Sequence, residues 1–372
     1  MADKLNFKGN CQTTAMGIMP HTNIDKALEL SLSLDIPFWP QLPHVNYYED
    51  MYVQASEHFP GIIVDVENQR ISFDSARFEN ELAGYSQKMA DPSTFILSED
   101  YSVVYHRFLA ADLTKYSAIR GQLIGPVSFG FKVFDESNTP IIYNDSVRTI
   151  LFDFLSRKIN AQYLELKEHN NNAFVWLDEP GLGWVFSGLS GYNDLVAKTE
   201  YKDFLESLSG PGALHLCANV NLPYLLSMGT DLLSFDAYQL EILPEGYTAA
   251  IADFLNNRGI ISWGIVPTDS VSLSKETPES LVKQLLDYWR VVTTNTDITT
   301  RQIAERALIA PARCCLKNIG QVGAVNETSS DKGSNCTVHP EEQLVETAFS
   351  YLNKVSRTLR EEFNLEEGQL SR

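Results

Sequence analysis

Gly212-Ala213-Leu214-His215-Leu216-Cys217-Ala218-Asn219 is a short apolar run opened by glycine and closed by a polar turn residue, the pattern of a buried β-strand. On a strand, residues i and i+2 project from one face, so the His215 imidazole and the Cys217 thiol aim at a common spot. A soft divalent metal suits that spot, because Zn2+ takes thiolate sulfur and imidazole nitrogen at about 2.0–2.3 Å. Either residue alone reads better as a buried histidine or a core thiol. The metal reading needs further donors at the ends of other strands.

Seven more runs share this strand-like character, at 12–19, 36–41, 119–125, 173–178, 232–236, 260–266 and 307–311. Between most of them lie amphipathic stretches, such as 146–160 and 278–288, with apolar residues at helical i, i+3, i+4 spacing. Eight β–α units predict an α/β protein folded as a single (β/α)8 TIM barrel over residues 1–372. A doubly wound open sheet suits the chain less well, since no Gly-x-Gly-x-x-Gly turn follows the first run. The longest interruption, roughly 46–117, falls between the second and third predicted strands and reads as an insertion beside the barrel mouth. The polar run 320–335 reads as a surface loop. After it, Pro340-Glu341-Glu342 opens a last helix with Leu344, Phe349, Leu352, Val355 and Leu359 on its inner stripe.

Composition narrows the function. The net charge of −19 over 372 residues argues against binding nucleic acid through phosphates and against an anionic membrane surface. The start lacks the apolar core of a signal peptide, and no stretch is long and apolar enough to span a bilayer. A cytoplasmic location is therefore expected. The five cysteines, Cys11, Cys217, Cys314, Cys315 and Cys336, are too sparse for a disulfide framework and suit burial or metal binding better. The sequons at Asn326 and Asn335 carry little weight without a secretion signal.

In a (β/α)8 barrel, functional groups sit at the C-terminal ends of strands. His215 and Cys217 end the fifth predicted strand, Asp236 the sixth, and the Cys314-Cys315 pair the eighth. Two sulfurs, one nitrogen and a carboxylate make a zinc shell, and a labile fourth position marks a catalytic one. Asp236 serves equally well as a helix cap. Only one of two adjacent cysteines faces the site. Asp178, in Asp178-Glu179-Pro180-Gly181, stands at the end of the fourth strand, where a carboxylate holds a substrate ammonium group or pairs with a local cation. The first strand ends in Met16-Gly17-Ile18-Met19-Pro20-His21. There Gly17 admits a ligand close to the backbone or makes a tight turn, and His21 is a catalytic or capping candidate.

At these residues the chain resembles the superfamily that joins cobalamin-independent methionine synthase, uroporphyrinogen decarboxylase and the methylcobalamin:thiol methyltransferases. The likeness runs from Thr14–His21 through Gly121-Gln122-Leu123-Ile124-Gly125-Pro126, Asp178-Glu179-Pro180 and His215-Leu216-Cys217 to Cys314-Cys315-Leu316-Lys317. The His-x-Cys with a late Cys resembles the zinc, thiol-alkylating branch. An arginine-rich N-terminal substrate loop, as in the decarboxylases, is absent, since no Arg precedes Arg70. The resemblance implies His215, Cys217 and Cys314 as zinc ligands. Asp236 falls where methionine synthases have a ligating Glu, and Asp178 matches an acid that contacts the amino group of homocysteine. Gly17, Ile18 and His21, at the end of the first strand, are the further expected substrate contacts.

Two departures bear on substrate. Ile18 replaces a Ser that helps bind homocysteine, and no His stands near Gly264-Ile265-Val266-Pro267-Thr268, where folate-dependent enzymes keep a catalytic one. Demethylating methyltetrahydrofolate expels an amine that needs a proton, whereas expelling Co(I) from methylcobalamin needs none. The expected reaction is therefore methyl transfer from methylcobalamin, carried on a small corrinoid protein, to a zinc-activated small thiol such as homocysteine or coenzyme M. The rival expectations are a uroporphyrinogen decarboxylase-like enzyme and a non-catalytic corrinoid- or tetrapyrrole-binding protein.

Overall fold

The computed structural model describes residues 2–185, 191–217, 221–315 and 340–365. Within them the strands are β1 (Gln12–Thr13), β2 (Ile62–Asp65), β3 (Arg70–Phe73), β4 (Ile119–Ile124), β5 (Ala173–Asp178), β6 (Gly212–Leu216), β7 (Leu232–Phe235), β8 (Ile260–Val266) and β9 (Ala307–Pro311). Seven of them make one parallel sheet in the order β1-β9-β8-β7-β6-β5-β4, and β2 with β3 forms a separate antiparallel hairpin. From β4 to β9, each strand pairs with its neighbour in sequence, as parallel strands joined by crossover helices do.

The crossover helices form where apolar residues recur on one stripe. Pro278–Thr294 buries Leu281, Leu285, Tyr288, Trp289 and Val292, and starts at a capping box in which Thr277 and Ser280 satisfy each other's backbone donors. Asp145–His169 is capped by Asn144 and lies against β4 and β5. Pro340–Phe363 buries Phe349, Leu352, Val355 and Leu359, the stripe its sequence predicts, with Leu344 half-buried at its edge.

Two apolar clusters result. The larger fills the space between sheet and helices. The smaller gathers Met16, Ile36, Ala118, Phe174, Trp176, Ala213, Leu232, Ile260, Leu308 and Ala310. Residues from β5 to β9 meet there beside residues next to β1 and β4, which requires the sheet to curl so that its inner faces pack together.

The segment 36–41 links the two edges of this sheet. Ile36 N donates to Thr13 O at 3.0 Å and Gln41 N to Gly17 O at 2.8 Å on the β1 side, while Arg120 N of β4 donates to Pro37 O at 3.0 Å. The contacts are isolated parallel bridges, Ile18 with Gln41 and Phe38 with Arg120. Pro37 and Pro40 lack the N–H groups that a continuous ladder needs.

Residues 46–117 fold into the β2–β3 hairpin and the helices Met51–Ser56, Ser75–Lys88 and Val103–Leu109. A buried ion pair, Lys158 Nζ to Glu57 Oε2 at 3.2 Å, fastens this region to the helix Asp145–His169. Among the described residues no helix is long and apolar enough to cross a membrane. Cys336, both sequons and the run 320–335 lie outside the described residues.

Candidate functional site

β6 positions the first two residues. Ala213 and His215 alternate on its inner face, and Cys217 follows directly after the strand. His215 is 2% exposed. Its Nδ1 lies 3.0 Å from Ser234 Oγ on β7, and its Nε2 lies 4.0 Å from Asp178 Oδ1 on β5. Burial, with the nearby Arg120 cation, pushes the imidazole down to about 3, so it is neutral near pH 7. Neutral imidazole is the form that binds a metal.

The Cys217 thiol is pushed up to about 12, first by burial and then by the charge a neighbouring Cys314 thiolate would carry. The two sulfurs therefore sit within electrostatic reach of each other. Cys314 is half-buried between the two clusters and touches both, whereas Cys315 is buried in the larger one and raised by desolvation. Asp236 is engaged already: Oδ2 accepts from Arg313 Nε at 2.7 Å and Oδ1 from Gln239 N at 3.1 Å. Among the described residues no three His, Cys, Asp or Glu side chains converge closely enough to hold a metal ion.

Two adjacent carboxyls complete the upper rim. Asp178 is raised to about 7 by burial, against the pull of Arg120. Glu179 is also raised to about 7 by burial. It accepts from Ser128 N at 2.8 Å, Ser128 Oγ at 2.6 Å and Val127 N at 3.1 Å, and so caps the helix Pro126–Lys132.

The β1 side behaves differently. A Cβ on Gly17 would stand 2.4 Å from the Gln122 amide, so glycine here admits a neighbouring side chain. Ile18 is buried at its bridge to Gln41. His21 is wholly buried, neither ring nitrogen has a partner among the described residues, and burial lowers its pKa.

Sequence reading passed over Arg120. It lies in Ile119-Arg120-Gly121-Gln122-Leu123-Ile124, a strand buried at all six positions, and is itself 1% exposed. The signal was the Arg-x-Gln alternation, which sets a cation and an amide on the same face of a strand.

No family model matches the chain, and no curated protein matches it. Among solved structures, a B12-independent methionine synthase from Shewanella sp. W3-18-1, in complex with selenomethionine, is similar at 14% identity and a TM-score of 0.41. The match covers 66% of this chain and 63% of that one, so the chain spans less than two thirds of that structure.

Proposed function

We propose that the chain is a zinc-dependent methyltransferase that moves a methyl group from a methyl-corrinoid to a small thiol. We place the reaction in one (β/α)8 barrel domain whose second strand is the segment 36–41. The bridges of that segment to β1 and β4 support the closure. The observation that carries the function is a neutral, buried His215, held through Nδ1 by Ser234, beside a Cys217 thiol that burial and the neighbouring Cys314 raise.

The donor chemistry fits zinc. A soft divalent cation would stabilise the Cys217 thiolate, which burial and the neighbouring Cys314 disfavour. When Nδ1 of His215 donates to Ser234 Oγ, Nε2 keeps its lone pair for a metal. His215, Cys217 and Cys314 would have to draw closer together than they stand to hold the ion, and Asp236 is taken up by Arg313. Zinc bound there supplies the positive charge that lowers the pKa of an acceptor thiol from about 8.5.

Asp178, beside His215, is placed to orient the polar end of the acceptor. The corrinoid donor is proposed from the sequence after β8, where no His stands. Asp269, three residues beyond β8, is lowered by hydrogen bonds from Ser272, whose N–H it accepts at 2.9 Å, so it is a poor proton donor near neutral pH. Methylcobalamin as donor would supply the methyl group to the thiolate sulfur and would keep both electrons of the broken Co–C bond on cobalt. The leaving group needs no proton.

The test is Cys217→Ala in the full chain. Zinc content is expected to fall below a tenth of stoichiometric, and methyl transfer from methylcobalamin to homocysteine or coenzyme M to fall at least about a hundredfold. Metal and activity that both survive contradict the proposal. Wild-type protein that never takes up zinc favours a decarboxylase-like or purely binding role instead.

A further inference from the structure

We propose that Arg120 is the residue that anchors the negatively charged end of the acceptor. The inference rests on the thiol-transfer reading only for the thiol; the anion site stands on its own geometry.

Arg120 is a cation held inside a strongly acidic protein without a contact counter-ion. Its guanidinium carbon lies 4.4 Å from the Trp176 ring centre and 4.8 Å from that of Phe38. Nε donates to Thr14 Oγ1 at 3.0 Å, and Nη1 to Gln122 Oε1 at 3.0 Å and to Gly121 O at 3.3 Å. Nη2 is shielded from solvent and has no partner among the described residues. None of the described carboxylates lies within ion-pair distance of the guanidinium, although Asp178 is near enough to perturb it. A second buried donor, Trp176 Nε1, is also unpaired among the described residues.

Unpaired donors on a buried charge are expensive to leave unmet. A planar guanidinium already fixed by two aromatic rings and three hydrogen bonds is preorganised for an oxyanion, which would pair the free Nη2. A neutral amide or hydroxyl leaves the cation uncompensated.

Position sets the size of the ligand. The guanidinium stacks at the level of Trp176, two residues below Asp178 on β5. Asp178 is in register with His215 on β6. Two strand residues span about 7 Å, which a thiol separated from its anion by two to four carbons can bridge.

The test is calorimetric binding to the full chain, with 3-mercaptopropionate, 2-mercaptoethanesulfonate, propionate and 3-mercaptopropanamide as probes. Both anionic thiols and propionate are expected to bind at least tenfold more tightly than the amide. Whichever of the two anionic thiols binds tighter identifies the tail as carboxylate or sulfonate. Arg120→Gln is expected to weaken anion binding by about 10–100-fold, and Arg120→Lys to weaken it less.

Equal binding of carboxylate and amide by the wild type overturns the proposal, whether or not any variant folds. So does anion binding that Arg120→Gln leaves intact. Anion selectivity that persists in a chain inactive for methyl transfer keeps the anchor and removes the methyltransferase reading. Methyl transfer without anion selectivity does the reverse.

Discussion

Lys158 and Arg120 are both cations sealed from water, yet their surroundings differ in kind. Lys158 meets Glu57 at 3.2 Å, with side chains 3% and 2% exposed, and Glu57 also accepts from Ser98 N at 3.2 Å. That pair is closed: each charge has its partner, and together they join the 46–117 region to a crossover helix. Arg120 has aromatic faces, a hydroxyl and an amide, but no carboxylate in contact and one nitrogen unpaired among the described residues. A satisfied buried charge fixes structure, and an unsatisfied one inside a curled sheet leaves a valence for a ligand.

The largest effect expected separates the two cations by stability. Lys158→Met strands Glu57 as a buried, uncompensated charge and should destabilise the chain by about 3–5 kcal/mol. Arg120→Met removes a charge with no contact partner and should change stability by less than about 2 kcal/mol. Urea denaturation of both variants reads the difference. Equal losses would erase the distinction between a closed pair and an open site.

A smaller effect sharpens the account of the open site. Asp178 is raised from 3.8 to about 7 by burial. Between those values the folded chain keeps a proton that the unfolded chain has released, so this group's contribution to stability is full below 3.8 and is lost as pH rises to about 7. Asp178→Asn removes that loss. Its stability relative to wild type should climb between pH 4 and pH 7, by about 1–3 kcal/mol in all, and stay level above. Denaturation midpoints across that range test it. A difference that does not change with pH would mean that Asp178 stays ionised in the folded chain.

Much of the strand order was legible because six runs, from 119–125 to 307–311, coincide closely with β4 to β9. The segment 36–41 was predicted as a strand like the others, but its prolines reduce it to bridges that only the folded backbone reveals. The β2–β3 hairpin escaped notice because its turn has no glycine. Gln69 takes the positive φ of 47°, and Asp65 accepts from Asn68 in the place of a turn dipeptide.

At the site, His215 and Cys217 stand out because i, i+2 spacing on a strand is local information. The engagement of Asp236 by Arg313, 77 residues away, is not local and could not be read. The same holds for Arg120, whose role depends on rings from two other segments, Phe38 and Trp176, closing over it.

The central claim is that two sulfurs and one imidazole of this chain share a zinc ion. X-ray absorption at the zinc edge of the zinc-loaded full chain addresses it most directly. The account expects two sulfur scatterers at about 2.3 Å and one nitrogen at about 2.0 Å, with a further sulfur when an acceptor thiol is added. A shell of nitrogen and oxygen alone, unaltered by thiol, would contradict it.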